Sequence, residues 1–270
     1  MSESSLDARY RALHRLNSPA NRAIRADIWA PGDDIGQQSF ITPRYLDELI
    51  RRIPITSDDH VLDVGSGAGG PAVYLSKATG CRITGIEPNE VGVEVAASLA
   101  DDAGLADRLS FDCASALDMP YGADEFDSAI SLNVVNVIED KVALFREVRR
   151  VLRPGGRWAL LTGTFDLDAG EGEARRRLTR DNTVPLFDDT AGGYRTKLVD
   201  AGFAVDEVTE YVSDFRTQIA RWAAANRTHA DALEAEQGAQ AARRHLAYFD
   251  TYLELANDGR AANHLFLATA

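Results

Sequence analysis

His60-Val-Leu-Asp-Val64 runs directly into Gly65-Ser-Gly67-Ala-Gly69-Gly70-Pro71, and the fold turns on how that junction is read. A short β-branched run, then clustered glycines, then helix-forming sequence predicts a buried strand, a tight turn and a helix start. Glycines carry no Cβ, so a ligand can approach the backbone, and the amides exposed at the helix start favour a negatively charged group. The spacing satisfies both Gly-x-Gly-x-Gly and the Gly-x-Gly-x-x-Gly of dinucleotide-binding folds, so alone it separates neither ligand. Asp63, two residues before the first glycine, tips the balance. A fold that accepts a pyrophosphate usually has an apolar residue there, whereas a carboxylate suits a ligand carrying an ammonium group.

Working outward, short β-branched runs alternate with helical stretches, the pattern of a parallel sheet wound with helices. The expected strands are 60–64, 82–86, 109–111, 128–132 and 157–162, with two more at 203–211 and 263–268. The predicted architecture is α/β: a doubly wound, mostly parallel seven-stranded sheet. Upstream, Leu6, Tyr10, Leu13 and Leu16 predict short helices, Trp29 to Phe40 a loop, and Thr42-Pro43 a helix start with Thr as N-cap. Residues 216–257, with the stripe Leu246, Phe249 and Leu253, predict helices inserted before the last strand. The expected organisation is a single domain over 1–270: an N-terminal helical lid at 1–45, the core at 46–215, a helical cap at 216–257 and the last strand at 258–270. No separate catalytic domain of the kind most nicotinamide enzymes need follows residue 165.

The net charge of −13 argues against a nucleic-acid partner, whose phosphates are met by basic groups. No apolar run nears the roughly 18 residues of a membrane helix, and the N-terminus lacks a signal-peptide pattern, so the expected location is cytoplasmic. A monomer and a homodimer are equally compatible with the sequence. Cys81 and Cys113 have no neighbours at ligand spacing and are read as small core residues. Asp188-Asp189 is read as helix-starting or solvated, and no metal is expected.

Val61-Leu-Asp-Val-Gly-Ser-Gly-Ala-Gly69 resembles the first motif of the class I S-adenosylmethionine-dependent methyltransferases, within them the small-molecule group of ubiquinone-pathway, sarcosine and phosphoethanolamine methyltransferases. Met119-Pro-Tyr121, Glu125-Phe-Asp127 and Val151-Leu-Arg-Pro-Gly-Gly156 are similar to the later landmarks, in order. The resemblance implies a Rossmann-like fold, S-adenosylmethionine as methyl donor and S-adenosylhomocysteine as product. It places the donor on Asp63, Gly65, Ser66, Gly67 and Leu132, with Gln37 and Gln38 of the lid near its methionyl end. Glu87 falls where the family holds both ribose hydroxyls, Pro88 where a side chain packs on adenine. Asn89 is read as the N-cap of the next helix.

Two positions depart from the family. Ser115-Ala116 stands where relatives carry Asp-Ala, so Ser115, or else Asp112 or Asp118, would accept the adenine amine. Val137 stands near a position that many relatives give to a histidine base. His60 and His264 are read as structural, and His14 and His245, on helices, as surface residues. Methyl transfer is an in-line displacement that alignment in a dry pocket can accelerate. The missing histidine favours a neutral amine, a carboxylate or an activated carbon as acceptor over a phenol. Asn133, just past the fourth strand, is expected to orient that acceptor, with Trp29, Tyr211, Tyr248 and Tyr252 lining the space. The catalytic residue, if one exists, is unassigned. Two other readings stay open: a nicotinamide-dependent oxidoreductase and a non-catalytic S-adenosylmethionine-binding protein.

Overall fold

The computed structural model describes residues 18–37, 39–166, 173–181, 186–187 and 189–270. Seven strands, β1 (His60–Val64), β2 (Arg82–Glu87), β3 (Leu109–Cys113), β4 (Phe126–Leu132), β5 (Leu152–Phe165), β6 (Ala204–Glu210) and β7 (Ala261–Thr269), form one sheet in the order β3-β2-β1-β4-β5-β7-β6. Neighbours from β3 through to β5 are parallel, and β7 lies antiparallel between β5 and β6. Both expected late strands form, and the sheet is the mostly parallel one that the alternation predicted. Since β1 is covered on both faces, its residues after His60 read as a nearly continuous apolar run, broken by Asp63 alone.

Ten helices are described. They are α1 (Pro19–Ile28), α2 (Pro43–Arg52), α3 (Gly70–Thr79), α4 (Glu90–Asp102), α5 (Lys141–Val151), α6 (Glu173–Asp181), α7 (Ala191–Asp200), α8 (Val212–Thr228), α9 (Ala230–Gln237) and α10 (Ala239–Asn257). Local chemistry sets several starts. Ser18 accepts a bond from the Asn21 amide to open α1, and Asn89 accepts from Val91 and Gly92 to open α4. Thr42 does occupy the N-cap of α2, but its hydroxyl makes no capping bond and Pro43 alone presets the turn.

The sheet carries an apolar layer on each face. One groups Phe126, Phe145, Trp158, Tyr194 and Phe266; the other groups Leu46, Leu49, Val61, Leu75, Ile83 and Ile130, with α2 and α3. Each such fully buried large side chain contributes about 1.5–3 kcal/mol of transfer free energy. A third body of apolar contact lies outside these layers. In it α1 packs directly on the helices between β6 and β7, joining Ala20, Ile24, Ile28 and Trp29 to Ala225, Leu233 and Ala242. The N-terminal lid and the cap are therefore one cover, a contact between segments some 200 residues apart that no local pattern announces. His229 Nε2, 2.8 Å from Asp27 Oδ2, and the Ala20 amide, donating to Glu236 at 2.7 Å, tie the two halves.

Candidate active site

Open parallel sheets bind ligands at the carboxyl ends of strands where the winding reverses, here between β1 and β4. The β1–α3 turn sits at that crevice, and its glycines serve different neighbours. A Cβ on Gly65, whose φ is +74°, would lie 2.4 Å from Val134 Cγ2, and one on Gly69 2.8 Å from the Ala96 Cβ of α4. A Cβ on Gly70 would lie 2.1 Å from the Ile35 carbonyl oxygen, so this glycine exists for the loop that lies across it. The third glycine of the dinucleotide spacing is thus explained by packing of the lid.

Gly67 is different, for its amide donates to Glu87 Oε2 at 3.2 Å while the Asn89 amide donates to Oε1 at 3.1 Å. The Glu87 carboxylate is consequently buried, oriented and fixed at the end of β2. Asp63 is buried close by and, among the described residues, meets no cation. Burial first, and the charge of Glu87 second, push its carboxyl up to about 7. A buried carboxyl with no cation beside it among the described residues suits a ligand that brings an ammonium group to the glycine turn. Ser66 adds a buried hydroxyl without a partner. These residues fit the donor that the motif implies.

Further out, Pro88, Cys113 and Ser115 are exposed beside the site, and Leu117 is 43% exposed, a large apolar side chain left open to solvent. Cys113 is not the core residue expected; its thiol lies 3.6 Å from the Pro88 carbonyl, whereas Cys81 is buried. The Ser115 hydroxyl accepts from the Leu117 amide, Ala116 is half-buried, and Asp112 already accepts from the Tyr121 hydroxyl at 2.9 Å. Leu117 was missed in the sequence because an isolated Leu in a loop gives no periodic signal.

The lid loop is braced from within. Gln37 Nε2 donates to the carbonyls of Asp33 and Ile41, and its Oε1 accepts from Ile35, so its amide holds the loop instead of standing open toward a ligand. Arg25, buried in α1, donates to the Gln37 carbonyl at 2.8 Å and pairs with Asp34. Burial would raise the Asp34 carboxyl, but the bonds from Arg25 and Gly36 outweigh it and hold the group below its usual range. Gln38, His14 and Asp188 lie outside the described residues. Asp189 pairs with Lys197 at 2.6 Å and bonds the Thr190 amide ahead of α7.

At the end of β4, Asn133 takes a left-handed φ of +58° and bonds through its amide to the Leu161 carbonyl at 2.7 Å. A non-glycine residue in that conformation costs energy, and Asn tolerates it best. Both polar ends of its side chain are buried without a partner. The side chain of Leu132, next to it, faces away, into a crevice with Tyr45, Leu46 and Leu49.

The expected acceptor residues divide. Tyr211 packs edge-on to Tyr45 in that same crevice, away from the other two tyrosines. Tyr248 and Tyr252 do share a face, 5.3 Å apart. Tyr252 stacks on Phe165 with its hydroxyl over Gly163, and Tyr248 is half-buried. Trp29 is 6% exposed and meets the ring of Trp222 edge-on, and neither indole N–H has a partner. His245 is not on the surface. It sits between α8 and α10, edge-on to Phe249, where burial lowers its pKa to about 4. Because Asn226 Nδ2 donates to the Trp222 carbonyl, Oδ1 accepts from His245 Nε2 at 2.7 Å, which sets the Nε2–H tautomer of a ring that burial keeps neutral. His60 and His264 bond Thr84 and Thr164, as structural histidines would. Among the described residues no group of three or more His, Cys, Asp or Glu could hold a metal ion, and no helix is long and apolar enough to cross a membrane.

A seven-stranded sheet with an antiparallel β7, a glycine turn after β1 and an acidic residue ending β2 define the class I S-adenosylmethionine-dependent methyltransferase fold. Residues 62–160 match the family model described as a methyltransferase domain. The chain is 33% identical over 172 residues to methyltransferase GfsG of Streptomyces halstedii, which covers 59% of this chain and 62% of that protein. It is 38% identical over 119 residues to the 27-O-demethylrifamycin SV methyltransferase of Amycolatopsis mediterranei, covering 44% of each. The chain therefore matches less than two thirds of the length of both. The cyclopropane synthase MmaA2 of Mycobacterium tuberculosis shares the fold across 98% of both chains, with a TM-score of 0.80 at 14% identity.

Proposed function

We propose that the chain transfers the methyl group of S-adenosylmethionine to a small-molecule acceptor. The observation that carries this is Asp63, a carboxyl buried at the glycine turn with no cation beside it among the described residues, next to the Glu87 carboxylate that two backbone amides orient. In this reading Asp63 meets the donor's ammonium group and Glu87, held by two backbone amides, accepts from the ribose hydroxyls. Pro88 and Leu117 supply apolar surface for the adenine, and Ser115 its polar contact. Gln37 and Arg25 act by keeping the lid in place. S-adenosylmethionine, when bound, supplies an activated methyl group whose transfer needs alignment and exclusion of water more than covalent help.

Asn133 is the residue placed to orient the acceptor, since its free carboxamide lies at the end of β4 with one donor and one acceptor face. The lid and cap exclude water. No histidine stands at Val137, and His245 is neutral but belongs to the cap, so the reading assigns no general base. The acidic balance supports a soluble, cytoplasmic protein that does not bind nucleic acid, and the domain limits read from the sequence belong to the same proposal.

Isothermal titration with S-adenosylhomocysteine tests it. The parent chain should bind, and Glu87→Ala should weaken binding by roughly 10- to 100-fold, as expected for lost charge-assisted hydrogen bonds. A Glu87→Ala variant that folds and binds unchanged removes the assignment.

A further inference from the structure

The lid and cap enclose a region whose polarity is unusual in kind. Buried N–H and O–H groups are almost always paired, because an orphan costs about 1–3 kcal/mol. Yet here the indole N–H of Trp29, the indole N–H of Trp222, Oε1 of Gln218 and the Thr251 hydroxyl are all buried without a partner. Trp29 and Trp222 touch each other, and Trp222 stacks on Phe249 with Phe40 against its edge. At the sheet ends the orphans are both ends of the Asn133 carboxamide and the Oδ1 atoms of Asn136 and Asn263. Every one of these groups is neutral.

Charge is missing from the interior as well. Among the described residues the buried charged side chains are Arg25, Asp63, Glu87 and Lys141. Arg25 is paired with Asp34, Lys141 is held by the Ile138 and Phe187 carbonyls, and the two acids belong to the donor site. None of the four comes from α8, α9 or α10. Ion pairs of those helices with their surroundings, Arg227–Asp250 and Arg177–Glu254, lie at the rim and satisfy one another. An ionic acceptor entering beneath the cap would lose its hydration, and among the described residues α8, α9 and α10 offer no buried charge to replace it. An uncharged, ring-bearing molecule with an oxygen would bury its rings on the aromatic side chains and accept from the indoles.

Resting on the methyl-transfer reading, we propose that the acceptor is an uncharged, ring-bearing, oxygen-containing molecule held under the cap, with Trp29 and Trp222 as specificity-determining hydrogen-bond donors. This narrows the candidates left open by the sequence: a carboxylate drops out, and an amine must enter without its proton. Arg260, whose Nη2 is buried without a partner at the β5–β7 junction, is the group that an anionic acceptor would have to use instead.

Three probes on one skeleton separate these outcomes: naphthalene-1-methanol, naphthalene-1-carboxylate and naphthalene-1-methylammonium, each titrated calorimetrically into the full chain with and without S-adenosylhomocysteine. The neutral probe should bind at least tenfold tighter than either ion. Trp29→Phe and Trp222→Phe keep an aromatic ring, though a smaller one, and delete the N–H, and each should weaken the neutral probe roughly three- to tenfold. Trp158→Phe is the control, since that N–H already bonds Ser131 and should not matter to the probe. Equal or tighter binding of either ion overturns the proposal, as does a neutral probe indifferent to both cap tryptophans. Cofactor binding is read in its own titration, so its failure and a failed charge ranking are distinguishable.

Discussion

A carboxyl at about 7 is a proton switch as well as a contact. Between roughly pH 4 and 7 the folded chain keeps a proton on Asp63 that the unfolded chain has lost, so stability is highest below that window and falls as pH rises through it. Asp63→Asn removes this slope. Without ligand, the variant should melt higher than the parent at pH 8 and gain little at pH 4.5 in a calorimetric scan. A bound ammonium reverses the preference and expels the proton. Titration of S-adenosylhomocysteine at pH 6.5, in two buffers of different ionisation enthalpy, should then show release of up to about one proton, which Asp63→Asn abolishes. An identical slope in parent and variant would remove Asp63 from this role.

At the scale of elements, the lid is held by close backbone approach as well as by the Gln37 and Arg25 side chains. Gly70→Ala would place a methyl against the Ile35 carbonyl, so the loop must lift. Expected is about a tenfold loss of S-adenosylhomocysteine affinity, near 1.4 kcal/mol, with a melting temperature changed by only a few degrees. Hydrogen exchange over residues 31–41 should quicken in the variant. The strand–turn–helix order, the cap at Asn89 and the acid at Glu87 were legible in the sequence because each depends on neighbours a few residues away. Gln37, His245, Tyr211 and Cys113 were not, since their environments are set by segments distant in the chain. Gln37 is spent on its own loop, His245 is covered by α8, Tyr211 pairs with Tyr45, and Cys113 lies open beside Pro88. The position of Asn133 just past β4 follows from topology, while its role toward the acceptor belongs to the proposal.

For the molecule as a whole, the sheet and its cover are expected to differ in stability. The sheet is sealed by two large apolar layers, whereas the cover rests on two smaller clusters, one seating α8 and α10 on Phe165 and Ala261 and one joining them to α1, with a few ion pairs at the rim. Native-state hydrogen exchange should show α1 and α8–α10 opening at a lower free energy than β1, β4 and β5, with the gap narrowing when S-adenosylhomocysteine and a neutral acceptor bind together. Uniform protection across cover and sheet would contradict this. At −13, the chain should also fail to shift duplex DNA in a gel at 150 mM salt.

The placement of β7 governs the order of assembly during synthesis. It fills the gap between β5 and β6, and β6 has no other partner in the sheet. While a ribosome is still making the cap, β6 and one flank of β5 therefore wait with open backbone groups. The sheet closes only when residues 261–269 join it. A chain arrested at residue 260 should stay soluble only with a chaperone bound, and release of the next nine residues should be the step that sets it free.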